Sequence, residues 1–180
     1  MIQNSKTAEL AAVLDVAQKM CVAARTAPKT KGQDFIHTCI ISGDDLEKVA
    51  EKMEEAGERL GYKFFFRDAQ NVRASQALVV LGVENEVRML GKGCGYCGHE
   101  DCAACKAVGG TCVYGPMDLG IAIGSAVSVA EDARVDNRVM FSIGRAVMGM
   151  DILPASAKNI IGIPLSVSGK SPYFDRTFQK

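Results

Sequence analysis

The chain has 180 residues, of which 21 are Lys or Arg and 21 are Asp or Glu, so its formal net charge is zero. This length is typical of one domain, and the lack of a basic excess argues against a nucleic acid as its partner. The opening MIQNSKTAELAAV has no basic segment followed by an apolar one, and the most apolar stretch, residues 121–130, is shorter than the roughly 20 residues that a membrane helix needs. We therefore expect a single cytoplasmic domain without a membrane partner.

Hydrophobic periodicity predicts helices and strands in alternation. A first helix, ending by Pro28, carries apolar residues at steps of three and four: Leu10, Val13, Leu14, Ala17, Cys21 and Ala24. Residues 35–41 are rich in β-branched and aromatic side chains and are predicted as a strand. Asp44 and Glu47 have the spacing of a helix N-cap signature, and Gly61 is suited to end the helix that follows.

Further elements are predicted in the second half of the chain. Residues 62–66 and 77–83 are predicted as strands, the latter apolar enough to lie in the centre of a sheet. Residues 117–133 are predicted as a central, buried helix, on which Gly120, Gly124 and Ser128 would let another backbone approach closely. A helix over 137–150 and a strand over 159–165 follow. This alternation indicates an α/β or α+β sandwich.

Five of the seven cysteines are concentrated between residues 93 and 112, in the spacing C-x2-C-x4-C-x2-C-x6-C. Disulfides are disfavoured in a reducing compartment, so the cluster points to metal binding or redox chemistry. A cubane iron-sulfur cluster needs four thiolates, and Gly93, Gly95 and Gly98 would allow the tight positive-φ turns that deliver them. The candidates are Cys94, Cys97, Cys102, Cys105 and Cys112.

Zinc is the main alternative to an iron-sulfur cluster. A zinc ribbon separates its two C-x2-C pairs by about 15 to 20 residues, whereas the gap between the pairs here is four residues. Free or regulatory thiols are a third interpretation, and His99 is a less favoured ligand. We expect Cys21 and Cys39 to be small buried hydrophobic residues.

The segment CGYCGHEDC resembles the four-iron cluster pattern C-G-x-C-G-x-x-x-C, which it matches at Cys94, Cys97 and Cys102. In that pattern the position of Cys105 is usually not a ligand, so the resemblance implies Cys112 as the fourth. The whole chain resembles the uncharacterised "ferredoxin domain-containing" family. The residues that carry this resemblance are GCGYCGHEDC, DLGIAIGSAV (118–127), VDNRVMFSIG (135–144) and IIGIPLSVSGKSPYFDR (160–176).

A weaker resemblance is to FMN-dependent nitroreductases. Residues 24–41, ARTAPKTKGQDFIHTCII, look like the nitroreductase turn A-P-S-x-x-N-x-Q-P-W between a helix and a strand, with Ala27, Pro28, Gly32 and Gln33 in place. The resemblance implies a homodimer with FMN at the subunit interface, and a flavin ring lined by Lys29, Thr30, Lys31 and Gln33. The R-R-S-x-R motif that holds the flavin phosphate is missing, which leaves Arg25, Lys170 or Arg176 for that role.

Together these features predict an α+β fold: one nitroreductase-like α/β sandwich over residues 1–180, with a cysteine-rich, cluster-binding insertion over 91–115 after a central strand. The expected function is a flavin-dependent oxidoreductase that passes electrons between FMN and a [4Fe-4S] cluster, acting on a redox partner protein or a small organic substrate. The alternative is a non-catalytic module without flavin, either an iron-sulfur electron carrier or a zinc-stabilised domain.

Overall fold

The computed structural model describes residues 2–174 as one four-stranded antiparallel sheet with helices on both faces. The helices are α1 (Ser5–Thr26), α2 (Asp45–Leu60), α3 (Phe64–Arg73), α4 (Cys102–Ala107), α5 (Tyr114–Asp132) and α6 (Phe141–Val147). The strands are β1 (Ile36–Ser42), β2 (Ala77–Glu84), β3 (Asp136–Asn137) and β4 (Ala157–Ser166), in the spatial order β1-β2-β4-β3. The predicted α+β class is confirmed.

Strand β2 is the centre of the molecule, as its apolar sequence predicts. Alternate side chains of a strand point to opposite faces of its sheet. Ala77, Val79, Leu81 and Val83 pack on one face against α1 and α5, while Leu78 and Val80 pack on the other against α2, α3 and α6. Two apolar cores therefore share one strand, and α1 and α5 form a layer of their own.

The prediction of a strand over residues 62–66 is wrong, because helix α3 begins at Phe64. Of its three consecutive phenylalanines, Phe65 is fully buried, and Phe64 and Phe66 are exposed. Phe65 continues a buried helical stripe with Ala69 and Val72, at steps of four and three residues. The helical period outweighs the β-propensity of the aromatic run.

The predicted cap of α2 is only half correct. Gly61 ends the helix with a φ of 72°, as expected. Asp44, however, makes no capping hydrogen bond with its side chain among the described residues. Glu47 accepts hydrogen bonds from the Arg73 guanidinium instead, at 2.7 to 3.0 Å, so it ties α2 to α3 rather than completing a cap.

The predicted helix over 137–150 is shorter than expected. Met140 exchanges two backbone hydrogen bonds with Gly162 of β4, at 2.8 and 3.1 Å, and this bridge delays the start of α6 to Phe141. The close approach of two backbones that was predicted at the glycines of α5 occurs instead between α6 and β4. A Cβ atom on Gly144 would lie 1.8 Å from the carbonyl oxygen of Ile160, whereas Gly120 and Gly124 have no other described part of the chain within 4 Å of such an atom.

The two ends of the sheet carry different parts of the chain. The start of β1 pairs with the end of β2, at Ile36 and Val83, and the opposite end joins Ser42, Ala77 and Leu165. At that second end, Ser75 and Tyr173 share a hydrogen bond of 2.9 Å. Among the helices of residues 2–174, none is long and apolar enough to cross a membrane.

Candidate functional site

The connection from β2 to α5, residues 85–113, brings four cysteines around one small cavity. Its wall contains the four thiols of the predicted ligand set and the side chains next to them: Val87, Arg88, Leu90, Cys94, Cys97, Cys102, Cys112, Val113 and Tyr114. Cys105 is fully buried but is not among these residues. The cavity therefore separates the five candidate thiols into four that face a common space and one that packs behind it.

Local backbone geometry explains how a short loop presents these thiols. Gly95 and Gly98 have φ values of 60° and 79°, a left-handed conformation that residues with a Cβ rarely adopt. Gly93 does not share it, contrary to expectation. Asp101 begins α4 by accepting a hydrogen bond of 2.8 Å from the backbone N–H of Ala104, which fixes the helical turn that carries Cys102.

The thiols also differ in their surroundings. The backbone N–H of Gly91 donates to Sγ of Cys102 at 3.2 Å. Burial raises the pKa of Cys105, and a hydrogen bond with Cys97 and the electrostatic influence of the neighbouring cysteines raise it further. Within residues 2–174, no three or more His, Cys, Asp and Glu side chains are arranged so that they could together hold a metal ion.

A stacked tyrosine pair lies beside the cysteines. Tyr96, between Cys94 and Cys97 in the sequence, stacks on Tyr114 with ring centroids 5.9 Å apart and an interplanar angle of 14°. Tyr114 lines the cavity, while Tyr96 is 70% exposed. The stacked pair therefore extends from the cavity wall to solvent.

A buried ion pair connects the cavity to α5. Nε of Arg88 donates to Oδ2 of Asp118 at 3.1 Å, and both side chains are almost fully buried. Nη1 of Arg88 donates to the carbonyl oxygen of Glu86 at 2.7 Å, and the guanidinium lies 4.5 Å from the centre of the Phe35 ring. The third nitrogen, Nη2, is buried without a hydrogen-bond partner in the described residues.

The same carboxylate holds the turn between α1 and β1. Oδ1 of Asp118 accepts hydrogen bonds from the backbone N–H and the hydroxyl of Thr30, at 3.0 and 2.8 Å. Nζ of Lys31 donates to the carbonyl oxygen of Met89 at 3.3 Å. The turn that carries the nitroreductase resemblance is therefore bonded both to α5 and to the segment that leads into the cysteines.

Two other predicted flavin contacts are engaged within the turn itself. The ammonium group of Lys29 donates to the carbonyl oxygens of Ala24, Arg25 and Ala27, so it closes the C-terminal end of α1. Arg25 forms an ion pair with Asp34 at 2.5 Å. Burial alone would raise the pKa of Asp34, but hydrogen bonds from Arg25 and from the backbone N–H of Ile36 lower it overall.

The remaining predicted contacts are Gln33, Lys170 and Arg176. Gln33 is exposed at the turn. Lys170 lies between Val167, which is bonded to Gln76, and the buried Tyr173, so it follows the opposite end of the sheet. At about 3.3 Å per strand residue, the two ends of β1 are roughly 20 Å apart. Arg176 lies outside the described residues.

Sequence reasoning missed Arg88 and Asp118, the two residues that join the cysteine cavity to the turn. A weak signal for Asp118 exists in the sequence, because it is a lone acid next to the apolar run LGIAIGSAV. An acid on the buried side of a helix needs a partner. Nothing in the sequence indicates that this partner is Arg88, 30 residues away.

Comparison with solved structures shows the nitroreductase fold. A nitroreductase with bound FMN from Bacteroides fragilis matches with a TM-score of 0.62 at 13% identity, over 92% of this chain and 83% of that one. A nitroreductase family protein from Clostridium novyi NT matches with a TM-score of 0.59 at 17% identity, over 85% and 73% of the two chains. At these identities the likeness confirms the fold alone.

Comparison of sequences identifies the family. The family model described as "Uncharacterized protein containing a ferredoxin domain (DUF2148)" matches residues 108–176, a range that includes Cys112 but none of the cysteines before it. An "Uncharacterized protein" of Archaeoglobus fulgidus is 42% identical over the full length of both chains. The chain therefore belongs to the family of proteins that contain this ferredoxin domain, and it has the nitroreductase fold.

Proposed function

We propose that this protein is a flavin-dependent iron-sulfur oxidoreductase of the reducing cytoplasm. The observation that carries the proposal is the direct connection between the cysteine cavity and the turn at residues 27–33: Arg88 lines the cavity, pairs with Asp118, and Asp118 holds Thr30. When bound, FMN would exchange electron pairs with an organic substrate or a redox partner, and a [4Fe-4S] cluster would carry single electrons.

The proposed cluster ligands are Cys94, Cys97, Cys102 and Cys112. Four thiols around one cavity are the donor set that a cubane requires. The N–H of Gly91 already donates to the Cys102 sulfur, the kind of contact that tunes cluster potentials. Cys105 packs behind the cavity and is not proposed as a ligand.

The proposed flavin surface is the turn at residues 27–33. Thr30, Lys31 and Gln33 would meet the flavin ring, while Lys29 and Arg25 support the turn through the C-terminal end of α1 and Asp34. The bound FMN of the B. fragilis nitroreductase supports this assignment because the two chains share a fold. Arg25, Lys170 and Arg176 remain the proposed phosphate contacts.

We further infer a homodimer. The outward face of α5 carries Met117, Gly120, Ile121, Gly124 and Ser128, all exposed in the single chain. Two of these are large apolar residues, and the glycines would let a second helix approach closely. A partner chain also offers a way to bring Lys170, at one end of the sheet, near the flavin turn at the other end.

The test of the cluster is anaerobic purification followed by an absorbance spectrum and assays of iron, sulfide and zinc. We expect about four iron and four sulfide per chain. Cys112→Ala and Cys105→Ala form a matched pair of buried-cysteine variants. The first should lose the cluster spectrum, and the second should keep it. Loss in Cys105→Ala with retention in Cys112→Ala would reverse the ligand assignment, and zinc without iron would refute the cluster.

The test of the flavin is reconstitution of the same preparation with FMN, followed by gel filtration and flavin quantification. We expect one FMN per chain and a dimeric mass. Thr30→Val, which removes a hydroxyl bonded to Asp118, should weaken FMN retention, while Thr26→Val, exposed on α1, should not. A cluster without FMN after reconstitution would refute the oxidoreductase and leave an electron carrier.

A further inference from the structure

Arg88 is an unusual residue for the wall of a cavity. Only 1% of its surface is exposed, and it has five N–H donors that cannot be deprotonated in a protein. Nε and Nη1 are satisfied by Asp118 and by the carbonyl oxygen of Glu86. Nη2, the third nitrogen, has no partner within residues 2–174.

Buried donors without a partner are rare, and each calls for an explanation. The residues around Nη2 do not supply an acceptor. A Cβ atom placed on Gly115, at the start of α5, would lie 3.9 Å from Nη2 and 3.8 Å from the carbonyl oxygen of Glu84, which makes no hydrogen bond with Nη2. What Arg88 does share is a cavity with Cys94, Cys97, Cys102 and Cys112. Sulfur atoms at that cavity would be anionic acceptors for a cationic donor.

We propose that Nη2 of Arg88 donates a hydrogen bond to a sulfur atom of the iron-sulfur cluster and that Arg88 thereby raises the cluster's reduction potential. This inference rests on the cluster assigned under the proposed function. Reduction adds one negative charge to the cluster, and a buried cation beside it stabilises the reduced state more than the oxidised one.

Asp118 should influence the reduction potential of the cluster in the opposite direction, and indirectly, through Arg88. It accepts a hydrogen bond from Nε of Arg88 and partly compensates the charge of the guanidinium. Asp118 also accepts two hydrogen bonds from Thr30 in the proposed flavin turn. The Arg88–Asp118 ion pair therefore contacts both the proposed cluster site and the proposed flavin site. Neutralising the two members should therefore shift the cluster potential in opposite directions.

The experiment is a spectroelectrochemical titration of the anaerobically purified protein and four variants. In Arg88→Met the ratio of reduced to oxidised cluster at a fixed potential should fall at least tenfold, which corresponds to about 59 mV for one electron. Asp118→Asn should raise the same ratio. Arg88→Lys, which keeps the charge without the fork of donors, should fall between the wild type and Arg88→Met.

The fourth variant, Lys106→Met, is the control. Lys106 is an exposed cation on α4, next to Cys105 in the sequence, and solvent screens it. Its removal should leave the ratio within about twofold of the wild type. If Arg88→Met does not fold because Asp118 is left buried and unpaired, the double variant Arg88→Met/Asp118→Asn removes both charges and should still lower the ratio.

The outcomes separate the inference from the proposed function. A wild-type protein without iron and sulfide would refute the cluster itself. A fully loaded cluster whose potential in Arg88→Met or the double variant matches that of Lys106→Met would overturn the role of Arg88 while leaving the cluster in place. Shifts of the same sign in Arg88→Met and Asp118→Asn would indicate a disturbance of the loop rather than an electrostatic effect, and would also overturn it.

Discussion

The sandwich and the cysteine loop are stabilised by different kinds of side chain. In β2, every residue from Ala77 to Val83 is buried, and all of them are apolar or glycine. In the loop over residues 85–113, the buried side chains are Arg88, Cys102, Cys105 and Cys112. The sandwich can thus form by burying hydrocarbon. The loop instead buries a guanidinium and thiols, which need hydrogen bonds, an opposite charge or a metal as partners.

This difference implies that the two regions respond to different perturbations. Changes of volume between the helices and the sheet should destabilise the sandwich. Loss of a bound cluster should affect the loop and leave the sandwich folded. The Arg88–Asp118 pair lies at the junction, since Arg88 belongs to the loop and Asp118 to α5.

Asp118→Ala should destabilise both regions. It leaves Arg88 as an uncompensated buried charge and removes the two acceptor contacts of Thr30, so we expect the free energy of unfolding to fall by about 3 to 5 kcal/mol. Urea denaturation measures the loss. Asp15→Ala, in an exposed ion pair with Lys19 on α1, is the control and should change stability by less than about 0.5 kcal/mol. Equal effects of the two variants would refute the importance of the junction.

Gly144→Ala should destabilise the sandwich alone. The added methyl carbon would lie 1.8 Å from the carbonyl oxygen and 2.5 Å from the carbonyl carbon of Ile160. These are backbone atoms, which cannot move aside as a side chain can. Overpacking of this kind costs about 3 kcal/mol. Thermal denaturation of the protein should show a lower Tm, and a Tm equal to that of the wild type would show that α6 is free to shift from β4.

Removal of the cluster should affect the loop alone. After chelation of iron from the loaded protein, we expect amide exchange over residues 91–112 to accelerate by about tenfold or more, because few apolar contacts hold this segment. Exchange in β2 should stay within about twofold, since its two cores contain no residue of the loop. Hydrogen exchange followed by mass spectrometry distinguishes these outcomes, and loss of protection in β2 would contradict the separation of the two regions.

Gly120→Ala should have the smallest effect, and of the opposite sign. Gly120 lies within α5 with open space where its Cβ would be, so alanine should stabilise the monomeric helix by about 0.5 to 1 kcal/mol. The comparison with Gly144→Ala uses the same chemical change at a packed and at an open site. In the proposed dimer, however, the added methyl group should weaken association, and analytical ultracentrifugation measures that separately.

The sequence predicts those parts of the fold in which periodicity and burial agree. Helix α1, the central strand β2 and the last strand β4 follow their apolar patterns within a few residues. The prediction from sequence fails at residues 62–66, where the consecutive phenylalanines favour a strand locally. Tertiary packing buries only one of them, Phe65, on the inner side of a helix. A single sequence shows propensity, and it does not show which side of an element will meet the core.

For the candidate site, the sequence identified the cysteines but not what surrounds them. Cys94, Cys97 and Cys102 follow a recognisable local spacing. Arg88 and Asp118 become partners only through the packing of the loop on α5, a contact between residues 30 positions apart. Likewise, Lys29 looks like a ligand contact in the sequence, and only the fold shows its ammonium group on the last carbonyl groups of α1.

The tyrosine pair beside the cavity has an optical consequence. The chain has no tryptophan and four tyrosines, so its ultraviolet emission comes from phenol rings alone. Two of those four, Tyr96 and Tyr114, are stacked at the cysteine cavity, and Tyr173 is buried at the far end of the sheet. Tyrosine fluorescence is therefore a built-in indicator of what occupies the cavity, readable without a label and without a catalytic assay.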